Sequence, residues 1–190
     1  MEEILALINS LCAVSPELAV HLTHTLKEKT YKKNEYLLKE GDICGKICFI
    51  IKGLTRCFYN NGISEVCSWF MKEGDMIISV ESFFQQKPGS ESIQAIEDCE
   101  VVYIRYEELQ FMYKNFPEMN YIGRVLTEKY YTLSEQRLYS LRMHRSGQRY
   151  QYLLKNFPEL VQRVPIKYIA SYLGVAKETL SRSRSKRNFK

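Results

Sequence analysis

"KICFIIKGLTRCFYNNGISEVCSWFMKEGD" (residues 46–75) contains three short runs rich in β-branched and aromatic residues. Each run ends at a turn sequence that supplies a residue tolerant of positive φ: Lys52-Gly53, Asn61-Gly62 and Glu73-Gly74-Asp75. Similar runs, "EYLLKEGD" and "EVVYIRY", lie on either side, so the strand-like zone extends over residues 31–105. Short strands with turns about every ten residues predict an all-β barrel, roll or sandwich.

Helical periodicity frames this zone at both ends. Residues 2–29 repeat apolar residues at helical spacing, and Ser15 before Pro16 and Glu17 is typical of a helix start. "YEELQFMYKNFPEM" predicts a short helix that ends near Pro117. Residues 118–144 contain no proline, and they predict one helix of about 26 residues and about 39 Å.

The long helix carries an apolar stripe that some other surface must cover. Its members are Ile122, Leu126, Tyr130, Leu133, Leu138 and Leu141. We expect a twin helix in a homodimer to cover the stripe, because paired long helices bury such seams. The alternative is that the stripe packs against the chain's own β-zone.

Composition excludes several classes of protein. The 45% apolar content is ordinary for a folded domain, and no apolar run approaches the roughly 18 residues of a membrane span. The acidic start "MEEILALINSLCAVSPEL" differs from a secretion signal, so a cytoplasmic protein is expected. The six cysteines form no CxxC pair, and we expect reduced thiols and neither a metal nor a cofactor. No catalytic triad, Cys/His pair or phosphate-binding glycine loop occurs in a convincing context, so no enzymatic activity is expected.

The C-terminal segment combines positive charge with helix-turn-helix spacing. Residues 177–190 hold six basic residues and one acidic residue, which accounts for the whole net charge of +5. In "VPIKYIASYLGVAKETLSRSRSKR" (residues 164–187), the anchors of two crossing helices are Ile169, Ala170, Leu173 and Leu180, with Gly174 at the turn. The second helix would present Lys177, Glu178, Ser181 and Arg182 outward on one face, where a recognition helix enters the major groove. The alternative is a helical hairpin with solvated charges.

A β-rich zone, a long helix and a helix-turn-helix together resemble the Crp/Fnr family of transcription regulators. Gly41, Gly53 and Gly74 fall where that family's β-roll turns, and "KETLSR" is similar to its recognition-helix core. The resemblance implies an α+β fold: an antiparallel β-roll, or double-stranded β-helix, with flanking helices, a long dimerisation helix and a C-terminal helix-turn-helix. It divides the chain into a sensor domain (1–117), a dimerisation helix (118–144) and a DNA-binding domain (145–190).

The DNA-binding end departs from the family pattern in two ways. Ala176 stands where a hydroxyl residue usually caps the recognition helix, a cap worth about 1 kcal/mol. Only eight residues follow Arg182, so we expect no full wing. The basic tail from Arg184 onward is a candidate replacement for the wing's backbone contacts, which would make DNA binding salt-dependent. The expected DNA-binding residues are Lys177, Glu178, Ser181, Arg182 and Arg184.

The family's phosphate cassette corresponds to "SVESFFQQKPGSESIQA" (residues 79–95). Nucleotide-binding members place a Gly-Glu pair early, where Glu holds the ribose, and then an Arg-Ser or Arg-Ala pair, where Arg neutralises the phosphate. Here the pairs read Val80-Glu81 and Glu91-Ser92, and an acid within about 4 Å of a phosphate reverses an attraction of about 1–4 kcal/mol. The effector-pocket residues on this resemblance are Val80, Glu81, Ser82, Ser90, Glu91 and Ser92.

These features favour a dimeric regulator that binds double-stranded DNA at an inverted repeat. Its pocket is not expected to bind cyclic AMP or cyclic GMP. Whether it binds an unknown neutral or cationic effector instead is left open by the sequence. The alternatives are a cyclic-nucleotide-gated regulator of the same architecture, or a ligand-binding or scaffold module with a decayed effector domain. Measuring the affinity of the chain for DNA and for cyclic nucleotides would distinguish these three functions.

Overall fold

The strand-rich zone folds into two antiparallel sheets that pack together as a β-roll. The computed structural model describes residues 2–185, with the side chains of residues 3–182. The strands of this part are β1 Lys27–Tyr31, β2 Tyr36–Leu38, β3 Lys46–Lys52, β4 Thr55–Asn60, β5 Glu65–Met71, β6 Met76–Ile77, β7 Glu91–Ala95 and β8 Cys99–Arg105. Sheet A has the order β1-β8-β3-β6, and sheet B has the order β2-β7-β4-β5. All pairings are antiparallel, which confirms the prediction of an antiparallel roll.

The predicted turns are where the strands reverse. The turn glycines Gly41, Gly53, Gly62 and Gly74 all have positive φ. The requirement is strictest at Gly53, where φ is +100° and a Cβ would lie 2.5 Å from the carbonyl oxygen of Asp98. Only glycine fits the backbone at this position.

Helices cover the roll on both sides. They are α1 Glu2–Leu11, α2 Pro16–Thr25, α3 Val80–Gln85, α4 Tyr106–Asn115, α5 Pro117–Met143, α6 Ser146–Asn156, α7 Pro158–Arg163, α8 Ile166–Leu173 and α9 Lys177–Ser185. Ser15 caps α2 as predicted, because its Oγ accepts a hydrogen bond from the Leu18 N–H at 3.2 Å. The same Oγ donates to Glu118 at 2.6 Å, which ties α2 to the start of α5. None of these described helices combines the length and the apolar content of a membrane span.

The first half of the α5 stripe packs against the chain's own roll. Ile122 is 1% exposed in the core that α1, α2, α4 and sheet A share, and Leu126 packs against that core. The Tyr130 hydroxyl accepts a hydrogen bond from the Met76 N–H at 2.7 Å. The roll therefore already buries Ile122, whereas Leu126 and Tyr130 are only partly buried. A homodimer through residues 118–144 stays a prediction, and it would have to use the exposed face of α5.

The C-terminal helices form a second core with sheet B. Residues of α6, α7, α8 and α9 pack with Leu54, Phe58, Cys67 and Phe70 of the roll. The division into domains 1–117, 118–144 and 145–190 stays a prediction. The described C-terminal helices are packed on sheet B rather than held apart from it.

Candidate functional site

The cassette has the predicted form of a helical turn, a Pro-Gly break and a strand. Val80 and Glu81 open α3, and both side chains are exposed, as is Ser90 before β7. Ser82 is buried, and its Oγ accepts from the Cys44 N–H at 2.9 Å while it donates to the Lys87 carbonyl at 2.6 Å. Ser82 therefore fastens α3 to the β2–β3 loop and is occupied by structural bonds.

Glu91 lies buried at the start of β7, where the family's phosphate arginine would be. It is 7% exposed, and its Oε1 accepts a hydrogen bond from the Ser68 hydroxyl on β5 at 2.7 Å. Ser79 and Tyr59 also hydrogen-bond to this carboxyl group. Burial raises the pKa of Glu91, and the Ser68 bond opposes that rise. The site therefore presents a carboxyl group ringed by hydroxyls.

The structure brings only part of the predicted effector set together. Glu91 points inward, and Ser92 is buried with its Oγ accepting from the Glu40 N–H at 3.0 Å. Val80, Glu81 and Ser90 stay at the surface. Among the described residues, no lysine or arginine lies within ion-pair distance of Glu81 or Glu91. Lys87, the one basic residue of the cassette, is exposed and forms no ion pair with either carboxyl group.

Sequence reasoning missed the hydroxyl partners of Glu91. Tyr59 is directly opposite Glu91 across the β4–β7 pair, and Ser68 is on the next strand. Their proximity depends on strand register between segments far apart in sequence. The alternation of residues within each strand carries no signal for it.

The last two described helices meet at the predicted turn. The anchors are buried, with Ile169 at 1%, Ala170 at 2%, Leu173 at 4% and Leu180 at 2% exposure, and Gly174 adopts φ +62°. On α9, the side chains of Lys177, Glu178, Ser181 and Arg182 are exposed. Arg184 lies in α9, but its side chain is outside the described residues, and the basic tail of residues 186–190 lies wholly outside them.

The roll matches a known sequence family. Residues 28–116 match the cyclic nucleotide-binding domain family, which covers β1 to the end of α4. These residues are therefore similar in sequence to cyclic nucleotide-binding domains. Among the curated proteins, no sequence matches this chain.

Several solved structures share the fold of nearly the whole chain. FixK2 from Bradyrhizobium japonicum has a TM-score of 0.75 at 18% identity, with 86% of this chain and 85% of that chain covered. The c-di-GMP-responsive regulator CLP from Xanthomonas campestris has a TM-score of 0.71 at 16% identity, with 92% of each chain covered. A regulator assigned to the Crp/Fnr family from Eubacterium rectale has a TM-score of 0.71 at 14% identity, with 90% and 82% covered. The chain therefore shares the fold of these proteins, and its roll is the part that matches the cyclic nucleotide-binding domain family.

A buried arginine joins the roll to α8. Arg56 on β4 is 2% exposed, and its guanidinium donates to Glu65 at 2.6 Å and to Gln94 at 3.0 and 2.7 Å. The rings of Phe58 on the roll and Tyr168 on α8 each have their centroid 3.8 Å from its Cζ. Burial alone would lower the pKa of Arg56, but the bond to Glu65 contributes to a net rise, so the guanidinium stays charged.

Two further contacts fix α8 and the turn before α9. On β5, the edge strand of sheet B, the Cys67 N–H donates to Ser171 Oγ at 2.9 Å. The same hydroxyl donates to the Glu65 carbonyl at 2.9 Å, so Ser171 replaces a neighbouring strand. Arg149 on α6 donates to the Leu173 carbonyl at 2.8 Å and to the His144 carbonyl at 2.7 Å, which links the turn to the end of α5.

Proposed function

We propose that this chain is a dimeric DNA-binding transcription regulator of the Crp/Fnr type whose cassette takes neither cyclic AMP nor cyclic GMP. The observation that carries the DNA-binding part is the α8–turn–α9 unit. Its apolar anchors are buried, and the polar residues Lys177, Glu178, Ser181 and Arg182 lie exposed on α9. The N-terminal end of such a helix fits the major groove, where arginine reads guanine and glutamate accepts from the cytosine amino group.

Glu91 supports the second part of the proposal. A cyclic nucleotide would bring its phosphate against a buried carboxyl group with three hydroxyl partners, at the position where the family has an arginine. A charged carboxylate repels the phosphate, and a protonated one offers a single neutral donor in place of a guanidinium fork. A neutral polyol or a cationic group suits this ring of oxygens better.

The contacts between the roll and the output helices supply a route for regulation. Arg56 and Ser171 hold α8 against β4 and β5, and Arg149 holds the turn before α9 near the end of α5. A shift of β4 and β5 would therefore move α8 and α9 together. In a homodimer through α5, whose exposed face carries Tyr121, Tyr139 and Met143, two α9 helices about 34 Å apart would read an inverted repeat.

A double substitution on α9 tests DNA binding. Selection of random duplexes by the full chain, at two salt concentrations, should yield an inverted repeat. Lys177→Ala/Arg182→Ala should weaken binding to that repeat at least about tenfold and flatten the dependence on salt, because two cationic contacts are lost. The matched control is Lys114→Ala/Lys155→Ala, which removes the same charge from exposed positions on α4 and α6. Equal binding by both double variants and wild type would favour the scaffold alternative.

Calorimetry with cyclic AMP and cyclic GMP tests the ligand part. We expect no saturable heat at submillimolar nucleotide. A saturable heat in that range would favour the cyclic-nucleotide-gated alternative, even if the α9 variant confirmed DNA binding.

A further inference from the structure

A cavity of about 540 Å³ lies between the two sheets of the roll. Leu38, Ile77 and Ile93 form much of its apolar wall, and Lys46, Tyr103 and Arg105 lie along its polar side. None of the six predicted effector-pocket residues and no residue of α5 lines it, although Ile93 belongs to the cassette strand β7. The lining of this inter-sheet cavity thus differs from the predicted effector pocket around Glu91, and its volume is ordinary for a small-molecule site.

The charge at the cavity is positive and poorly compensated. The Lys46 ammonium donates to the hydroxyl of Tyr31 at 2.9 Å and lies 4.9 Å from the Tyr103 ring centroid. Burial raises the pKa of Tyr31 to about 12, so this partner is a neutral phenol. Within the described part of the chain, no carboxylate lies within 4.0 Å of the side-chain nitrogens of Lys46 or Arg105. Asp42 is the acid among the lining residues, so two cations face one anion.

The remaining polar groups of the wall are neutral. Cys44 and Cys48 line the cavity, and burial raises the pKa of both thiols, that of Cys48 to about 12. Neither thiol is therefore a thiolate at neutral pH, and the described residues contain no group of three potential metal ligands. The thiols act as additional apolar surface.

We propose that the inter-sheet cavity binds a small organic carboxylate with an apolar body, as a second effector site. The carboxylate would pair with Lys46 at the mouth, with Arg105 as the second cation. The body would lie against Leu38, Ile77 and Ile93. A compact anion without an apolar part would leave this wall unfilled, and a neutral apolar molecule would leave the ammonium without its counter-ion.

The cavity is linked to the cassette through strand β7 and through a hydrogen bond. Ile93 is two residues after Glu91 on the same face of β7, and the adjoining Cys44 donates its N–H to Ser82 of the cassette. A carboxylate in the inter-sheet cavity would therefore contact β7, which carries Glu91, and the β2–β3 loop, which is bonded to α3. The proposal does not depend on DNA binding, since it concerns the roll alone.

Naphthaleneacetate and its neutral analogue naphthaleneacetamide test the proposal on the full chain. Titrations are followed by NMR of labelled isoleucine methyl groups. We expect saturable shifts at Ile77 and Ile93 with the acid, and binding of the amide at least about tenfold weaker, because the ion pair is lost. Lys46→Met should weaken binding of the acid about tenfold, whereas Lys46→Arg should retain most of the affinity.

The matched control is Lys52→Met, at the other end of β3, where Lys52 pairs with Glu100 and does not line the cavity. It should bind the acid like wild type, and circular dichroism checks the fold of each variant. Equal affinity of wild type and Lys46→Met for the acid would overturn the proposal. So would equal binding of acid and amide, or the absence of methyl shifts up to about 10 mM acid, a concentration that detects even millimolar binding.

Discussion

The two outer faces of the roll are covered in different ways. On sheet A, Phe49 and Val102 meet Leu22 and Met112 of the helices, and this contact is almost wholly apolar. On sheet B, the apolar contacts with the C-terminal helices surround a buried charge, Arg56, whose partners come from both sides.

The difference indicates which contact is permanent and which is separable. Apolar burial is non-directional and stabilises any close packing. Separating the helices from sheet A would expose apolar surface to water, so we expect this contact to stay closed. A buried guanidinium is stabilised only while its hydrogen bonds and ring contacts keep their geometry, since removing any partner leaves a desolvated group. We therefore expect the sheet B face, and not the sheet A face, to have two discrete arrangements, as the proposed regulation requires.

The largest effect is expected on the apolar face. Phe49 is 4% exposed, and Phe49→Ala should lower the free energy of unfolding by about 3–5 kcal/mol, because it removes a large buried side chain and leaves a cavity. Denaturant unfolding measures the loss, and hydrogen exchange should show reduced protection throughout the roll. Phe84→Ala is the control, since Phe84 is 53% exposed and its removal should change stability little. Similar losses in both variants would refute the assignment of Phe49 to a permanent core.

A smaller and more local effect is expected at Arg56. Arg56→Met keeps most of the side-chain volume, but it leaves the buried side-chain oxygen of Gln94 without its two N–H donors. We expect this to lower the free energy of unfolding by about 2 kcal/mol. Glu65 is partly exposed and can hydrate, which limits the loss. Hydrogen exchange should show the greatest loss of protection in α8, with β3 less affected.

An exposed arginine serves as the control for Arg56. Arg124 also donates to a glutamate, Glu128, at 2.6 Å, but its side chain is 58% exposed. Arg124→Met should cost at most about 0.5 kcal/mol. If Arg56→Met lowered protection uniformly over the roll, the sheet B face would be as permanent as the sheet A face.

The same contrast separates what the sequence predicts from what it leaves open. The turn glycines and the anchors Ile169, Leu173 and Leu180 were predictable, because local backbone geometry and helical spacing determine them. Arg56 was not, since a charge in an alternating strand is expected in water, and its cover, Tyr168, lies more than a hundred residues away. Likewise, the stripe on α5 was visible in the sequence, but whether the roll or a twin helix covers it depends on tertiary packing.

The smallest effect is expected at the rim of the sheet B face, where acid should weaken an ion pair. Arg163 on α7 donates to Glu73 at 2.8 Å and to Glu97 at 2.7 Å. The hydrogen bond from Arg163 lowers the pKa of Glu73 from 4.5 to about 2. Because the folded-state pKa is depressed, this pair stabilises the fold above about pH 4.5 and loses its contribution as the pH falls toward 2. Glu73 is 41% exposed, so solvent screening limits the contribution to about 1 kcal/mol.

Arg163→Gln should therefore lower stability at pH 7, and its difference from wild type should shrink between pH 4.5 and 2. Denaturant unfolding at a series of pH values measures both, and added salt should reduce the difference at pH 7. The control is Lys32→Gln, whose pair with Asp98 at 2.9 Å lies within the roll and is exposed. That variant should leave the protection of the α7 and α8 amides against hydrogen exchange unchanged. A difference between wild type and Arg163→Gln that stays constant down to pH 2 would mean that packing, not the ion pair, holds the rim, and the sheet B face would then resemble the sheet A face.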